Sequence, residues 1–179
     1  MLIAERKKEK NIAEYIIYIW QTEDLIRAYE FNFEKIETSI INFLPLNETD
    51  KSRTSEWYKS LIEQMQSQGI QEKGHLNSTK EIINDLFKLH TSLLEVIEDA
   101  NYAELYEKAR EKIKLFQSFS QEFFFNEVEI CMNSLYGLLL LRLENKPVPP
   151  DLLSTIDDFG TLLSYLAFKY NEKQGGHWN

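Results

Sequence analysis

The sequence predicts an all-α protein: a single bundle of about six helices, two of them apolar around most of their circumference and therefore central. Three observations carry that prediction. Breakers are scarce, with 6 Gly and 4 Pro in 179 residues. Apolar residues recur at spacings of three and four, and no long Val/Thr-rich alternation suggests a half-buried strand. Asn or Ser with Glu three residues later, the signature of a reciprocally capped helix start, precedes three of the periodic stretches.

In chain order, the first helix is expected from about Ala4 to about Glu30. Between residues 12 and 20 every residue except Glu14 is apolar or aromatic, so this helix belongs at the centre. Two adjacent stripes run along it, Ile12, Ile16, Ile19, Glu23, Ile26 and Ala13, Ile17, Trp20, Asp24, Arg27. Each carries an acid one turn beyond its run of large apolar residues. A shorter helix over 33–43 presents Phe33, Ile36, Ile40 and Phe43, and Pro45 ends it.

Residues 45–54 are polar and turn-rich and read as a loop, with a helix starting at Thr54 or Ser55. Trp57, Leu61 and Met65 form its buried face, and Gly69 stops it. After a short connector, Ser78 and Glu81 form a capping box for a helix with two stripes, Ile82, Leu86, Leu89, Leu93, Val96 and Ile83, Phe87, His90, Leu94, Ile97. Asn101 with Glu104 opens a peripheral helix bearing Tyr102, Tyr106, Ala109, Ile113 and Phe116.

A break is expected at residues 117–125. Asn126 with Glu129 then starts the second central helix, through Val128, Cys131, Leu135 and Leu138 to Leu143. Pro150 and Asp151 suit the first turn of the last helix, whose stripe is Leu152, Ile156, Phe159, Leu163, Leu166, Tyr170. Residues 1–173 form one domain in this reading, and 174–179 a mobile tail.

In its segments YIIYIWQTEDLIRAY, QEKGHL and LYGLLLLRL, the chain resembles a bacterial family of all-helical proteins of about this length, domain of unknown function 4924. The likeness covers nearly the whole chain, with residues 117–125 matching least. It implies a helical fold and a bacterial, cytoplasmic origin, and it brings no activity, cofactor or catalytic residue.

Charge and composition narrow the function classes. A net charge of -9, with acids spread along the chain, argues against nucleic acid as a partner. The cluster Arg6, Lys7, Lys8, Lys10 is diluted by Glu5 and Glu9 and reads as a solvated helix start. Cys131 is the only cysteine, so no intramolecular disulfide forms. No signal-peptide order is visible, and the longest apolar stretch, residues 135–141, is far short of the roughly 20 residues of a membrane span. The expectation is a soluble, cytoplasmic protein with no membrane partner.

The strongest polar constellation is the end of the first helix. Glu23 and Arg27 have the spacing of an ion pair, Asp24 extends the cluster, and Trp20 lies one turn back. Facing Glu127, Tyr136 and Arg142 of the second central helix, these residues would wall a charged, aromatic pocket for a small molecule. The alternative is an ion-pair cluster that sets helix register. Glu72 and His75 make a single Glu-x-x-His, placed in a turn by Gly74, and read as local loop and cap hydrogen bonds. His90 reads as a core histidine bonded to a neighbour, and Cys131 as an inert thiol opposed in its ionisation by Glu127.

No nucleophile-and-base pair, metal set or phosphate loop assembles, so no catalytic residue, metal or cofactor is assigned. Two functions remain open. One is a non-catalytic interaction or assembly module, with a homodimer or a protein partner. The other is a small-molecule-binding protein or enzyme using the pocket of Trp20, Glu23, Asp24, Arg27, Glu127, Tyr136 and Arg142. The aromatic segment 119–125 and Trp178 serve as either a partner patch or a hydrophobic plug.

Overall fold

Asn11 decides how the chain begins. Its side-chain oxygen accepts from the Ala13 amide at 3.0 Å, so one helix ends at Lys10 and a second starts at Ile12. The single long helix expected over this region is therefore two, α1 (Ile3–Lys10) and α2 (Ile12–Ala28). The structure, a computed structural model, describes residues 3–119, 124 and 126–174. The fold is all-α. Among the described residues there are eight α-helices and one short 3-10 turn, where about six helices were expected. Contacts group the described residues into two compact units. The first is Glu14–Glu81 with the helix before Asn11; the second is Asn11–Ala13 with the chain from Ile82 onward.

In the first unit α2 is followed by α3 (Phe33–Ser39), the 3-10 turn Ile41–Phe43 and α4 (Glu48–Ser67). Asn32 caps α3 by accepting from the Lys35 amide at 3.0 Å. The helix expected to reach Phe43 stops at Ser39, and Phe43 is 80% exposed instead of buried. α4 corrects a second boundary. Asn47 accepts from the Asp50 amide at 2.8 Å, so the helix starts well ahead of Thr54 and takes in most of the expected loop. Its polar first turns carry Glu48 and Asp50, acids favoured by the helix dipole, and this polarity imitates a loop.

Gly69 stops α4 as expected, at φ 68, with the Ile70 amide reaching back to the Met65 carbonyl at 3.0 Å. Ile19, Ile26, Ile36, Ile41, Tyr58, Leu61, Ile62, Met65, Ile70 and Leu76 form this unit's core. Burying each such aliphatic side chain contributes about 1.5–3 kcal/mol relative to leaving it in water.

α5 (Asn77–Glu95) passes from the first unit into the second between Glu81 and Ile82. It starts one residue ahead of Ser78, which lies in its first turn and not at the cap. It ends at Glu95, leaving the expected stripe residues Val96 and Ile97 exposed.

The second unit then adds α6 (Ala100–Phe119), α7 (Glu127–Leu143) and α8 (Pro150–Gln174). Asp99, not Asn101, caps α6, accepting from the Tyr102 amide at 3.0 Å. Asp99 also accepts from the Tyr165 hydroxyl at 2.9 and 3.0 Å and lies 3.4 Å from Lys169 Nζ, tying the α6 start to α8. Burial raises its pKa, but these donors outweigh burial and hold the carboxyl below its ordinary value.

Asn126 caps α7 as its capping signature predicts. α8 packs against both α6 and α7, burying Ile156, Phe159, Leu162, Leu163, Leu166 and Ala167. Lys112 of α6 pairs with Asp158 of α8. The all-round apolar character of α7 is not buried throughout: Val128 to Leu138 supply its buried residues, while Leu143 is 64% exposed. Gln174 is the last residue of α8, not the first of a tail, and residues 175–179 with Trp178 lie outside the described residues. Most of the aromatic 119–125 segment lies outside them too. No helix among the described residues is long and apolar enough to cross a membrane.

Candidate functional site

Two polar constellations stand out, one in each unit. The first is built on α2. Glu23 is fully buried on the same face as Ile19 and Ile26, so its carboxylate requires donors. It accepts from the Leu76 amide at 3.1 Å through Oε1, and His75 Nδ1 lies 2.6 Å from Oε2. At that distance the imidazole nitrogen and the carboxylate oxygen share a hydrogen bond. The same imidazole stacks on Trp20, with ring centroids 4.2 Å apart.

Arg27 pairs with Asp24 at 2.8 Å, three residues back, and not with Glu23. Its other terminal nitrogen donates to the carbonyls of Ile70 (3.1 Å) and Gly74. Glu23 and Arg27 thus fasten the two ends of the connector between α4 and α5. His75, read from sequence as a local loop group, finds its partner 52 residues away, which no local pattern shows.

The other sequence-proposed pocket residues lie on α7. Glu127 is in its first turn, Tyr136 is buried near its middle, and Arg142 is exposed in its last turn. Glu127 and Arg142 are fifteen residues apart on one helix, about 22 Å along its axis at the usual rise, so they do not share a pocket. Trp20, Glu23, Asp24 and Arg27 are brought together around the 70–76 connector.

The second constellation surrounds His90. This residue is 5% exposed, as the apolar stripe around it predicts, and its Nδ1 lies 2.7 Å from the Tyr102 hydroxyl. Its Nε2 faces Glu127 Oε2 at 3.6 Å, too long for a hydrogen bond. That carboxylate oxygen is itself buried and accepts no hydrogen bond. Burial lowers the His90 pKa, against the charges of Glu127 and Glu95, so the ring is neutral near pH 7. Burial, then the hydrogen bond and charge of Glu127, push the Tyr106 hydroxyl well above its ordinary range.

Phe87 stacks on His90 at 5.8 Å, and Tyr106 meets it edge-on at 5.0 Å. These side chains open onto a cleft of about 450 Å³ formed by α5, α6 and the start of α7, with Glu95, Gln117 and Asn126 on its polar walls. Sequence reasoning identified Glu127 and His90 separately and missed Tyr106, Glu95 and the cleft. Only the position of a histidine within an apolar stripe hinted at it.

Cys131 of α7 is fully buried, and burial, with Glu127, raises its pKa far out of the reactive range. Among the described residues no three His, Cys, Asp or Glu side chains converge to hold a metal ion.

Among the described residues the fold thus presents an all-helical protein with a closed polar cluster in one unit and a cleft beside His90 in the other. The chain belongs to the family described as Domain of unknown function (DUF4924), whose profile matches residues 1–177. No curated protein matches the chain, and no solved structure does.

Proposed function

We propose that the protein is a non-catalytic binding module whose ligand site is the cleft between α5, α6 and the start of α7. The observation that carries this reading is a cleft of about 450 Å³ whose wall brings together aromatic faces, the buried His90 and the partly exposed carboxylate side chain of Glu127. A concave site with aromatic walls and a few polar groups is the usual form of a small-molecule site. The polar cluster on α2 is a weaker candidate because Glu23 and Arg27 already bind the connector.

On this reading the module works in the cytoplasm, in keeping with a lone cysteine, and a net charge of -9 disfavours nucleic acid as its ligand. Native mass spectrometry of the freshly purified chain, set against its denatured mass, tests it. Excess mass that survives in Glu23→Ala but is lost in Glu127→Gln supports the cleft. Excess mass lost in Glu23→Ala, with the fold intact, moves the site to α2.

A second reading, a homodimer, rests on Leu140 and Leu143, which lie one turn apart and exposed on α7. Light scattering after size exclusion tests it. A dimer mass that Leu143→Lys converts to a monomer supports assembly, and a monomer at all concentrations removes this reading.

A further inference from the structure

The cleft has a chemical polarity that selects its ligand. Its charged wall groups, among the described residues, are the carboxylates Glu95 and Glu127, and no lysine or arginine lines it. The remaining wall mixes Thr91, Gln117 and Asn126 with apolar and aromatic residues, among them Phe87 and Tyr106, whose rings lie against His90. Carboxylates beside aromatic faces attract a cation twice over, through charge and through the ring quadrupole. An anion would meet two like charges in a partly desolvated site and be repelled.

The two glutamates present their charge differently from His90. Glu127 Oε2 is buried 3.6 Å from His90 Nε2, while the Glu127 side chain as a whole is about one-third exposed, so a guest meets the accessible part of that side chain. An ammonium carries three donors and no acceptor, so carboxylate oxygens at the cleft wall satisfy it and offer nothing to a second carboxylate.

On the reading that the cleft is the binding site, we propose that its ligand is a small organic amine bound as its ammonium ion, the charged nitrogen held by the glutamates of the cleft wall, Glu127 first, and the hydrocarbon body lying against Phe87 and Tyr106. Glu95 supplies the second negative charge at the cleft wall. The volume of about 450 Å³ falls in the ordinary range for a small-molecule site.

The test uses the intact chain and three probes of nearly equal shape: 2-phenylethylammonium, neutral 2-phenylethanol and anionic 3-phenylpropionate. Binding is followed by titration calorimetry and by the proton NMR signals of His90 and Tyr106. The expected result is saturable binding of the ammonium at least tenfold tighter than the alcohol, with no binding of the carboxylate, and with both NMR signals moving. Glu127→Gln, checked for folding by circular dichroism, is expected to lose at least tenfold in ammonium affinity and to leave the alcohol unchanged. Equal binding of ammonium and alcohol, or preferred binding of the carboxylate, with the two NMR signals moving, overturns the amine assignment and leaves the cleft standing as a site. If no probe moves the His90 and Tyr106 signals, the cleft reading itself falls and the amine falls with it. The probe comparison needs only the unaltered chain, so it decides the question even if Glu127→Gln fails to fold.

Discussion

The polar cluster of the first unit and that of the second unit start from similar parts and end in opposite states. Each joins a glutamate to a histidine beside an aromatic ring: Glu23, His75 and Trp20 in one, Glu127, His90 and Tyr106 in the other. In the first, the carboxyl group is fully buried and hydrogen-bonded to both the imidazole and a backbone amide, at 2.6 and 3.1 Å. In the second, glutamate and histidine stop 3.6 Å apart, with the carboxylate oxygen unbonded. Closed, such a cluster holds a connector; left open on a cleft, it retains capacity for a guest. The residue types are shared, and the distances separate the two roles.

The largest expected effect breaks the closed cluster. Glu23→Ala leaves the Leu76 amide and His75 without their buried partner, and chemical denaturation is expected to show a loss of about 3 kcal/mol. Arg27→Ala frees the Ile70 and Gly74 carbonyls at a more accessible place, for a loss of about 2 kcal/mol. Hydrogen exchange at the Leu76 amide is expected to speed up in Glu23→Ala and to change less in Arg27→Ala. Equal exchange in both variants and wild type would mean that the connector is held by other contacts.

A pH series sharpens the contrast from the other side. The folded His90 pKa lies below its ordinary value because burial disfavours the charged ring. The unfolded chain therefore binds more protons below about pH 6.5, so stability from this group is complete above that pH and is lost as the pH falls through it. The groups facing the ring are Tyr102 and Tyr106 from α6, Glu127 from α7 and Glu95 on its own helix. His90→Gln is expected to flatten the slope of denaturation free energy between about pH 7 and 5. An unchanged slope would place its origin elsewhere.

Other substitutions are expected to act more weakly. Glu127→Gln keeps the shape of a side chain about one-third exposed, so its change in stability is expected to stay within about 1 kcal/mol, far below that of Glu23→Ala. A comparable loss from the two variants would erase the distinction between closed and open clusters. Glu30, just past the end of α2, is exposed at φ 54, where glycine carries no Cβ penalty. Glu30→Gly is expected to raise the melting temperature slightly, by the equivalent of about 0.5 kcal/mol, showing that strain outside the polar cluster is independent of it.

Legibility in the sequence varied with the range of the interaction. The α8 stripe, the Asn126 cap, the Gly69 stop and Pro150 at a helix start were all readable because each acts within a turn or two. Asn11 and Asn47 were misread for the converse reason: one sits between two helical patterns, the other ahead of polar turns that look like loop. Asp99 outranked Asn101 as the cap because it also meets Tyr165 and Lys169 of a distant helix. The division into two units passes inside α5, where composition does not change.

At the candidate sites, sequence placed Glu23 and Arg27 among the residues that matter and could not name their partners. It set His90 in an apolar stripe without showing the cleft beside it. By itself the sequence determined the helical class, most of the apolar faces and the acidic balance, because helical periodicity and composition are properties of neighbours in the chain. Only the tertiary structure decided that Glu23 closes on His75 while Glu127 stops short of His90. Those pairs are 52 and 37 residues apart, and whether they meet depends on how the intervening helices end and pack.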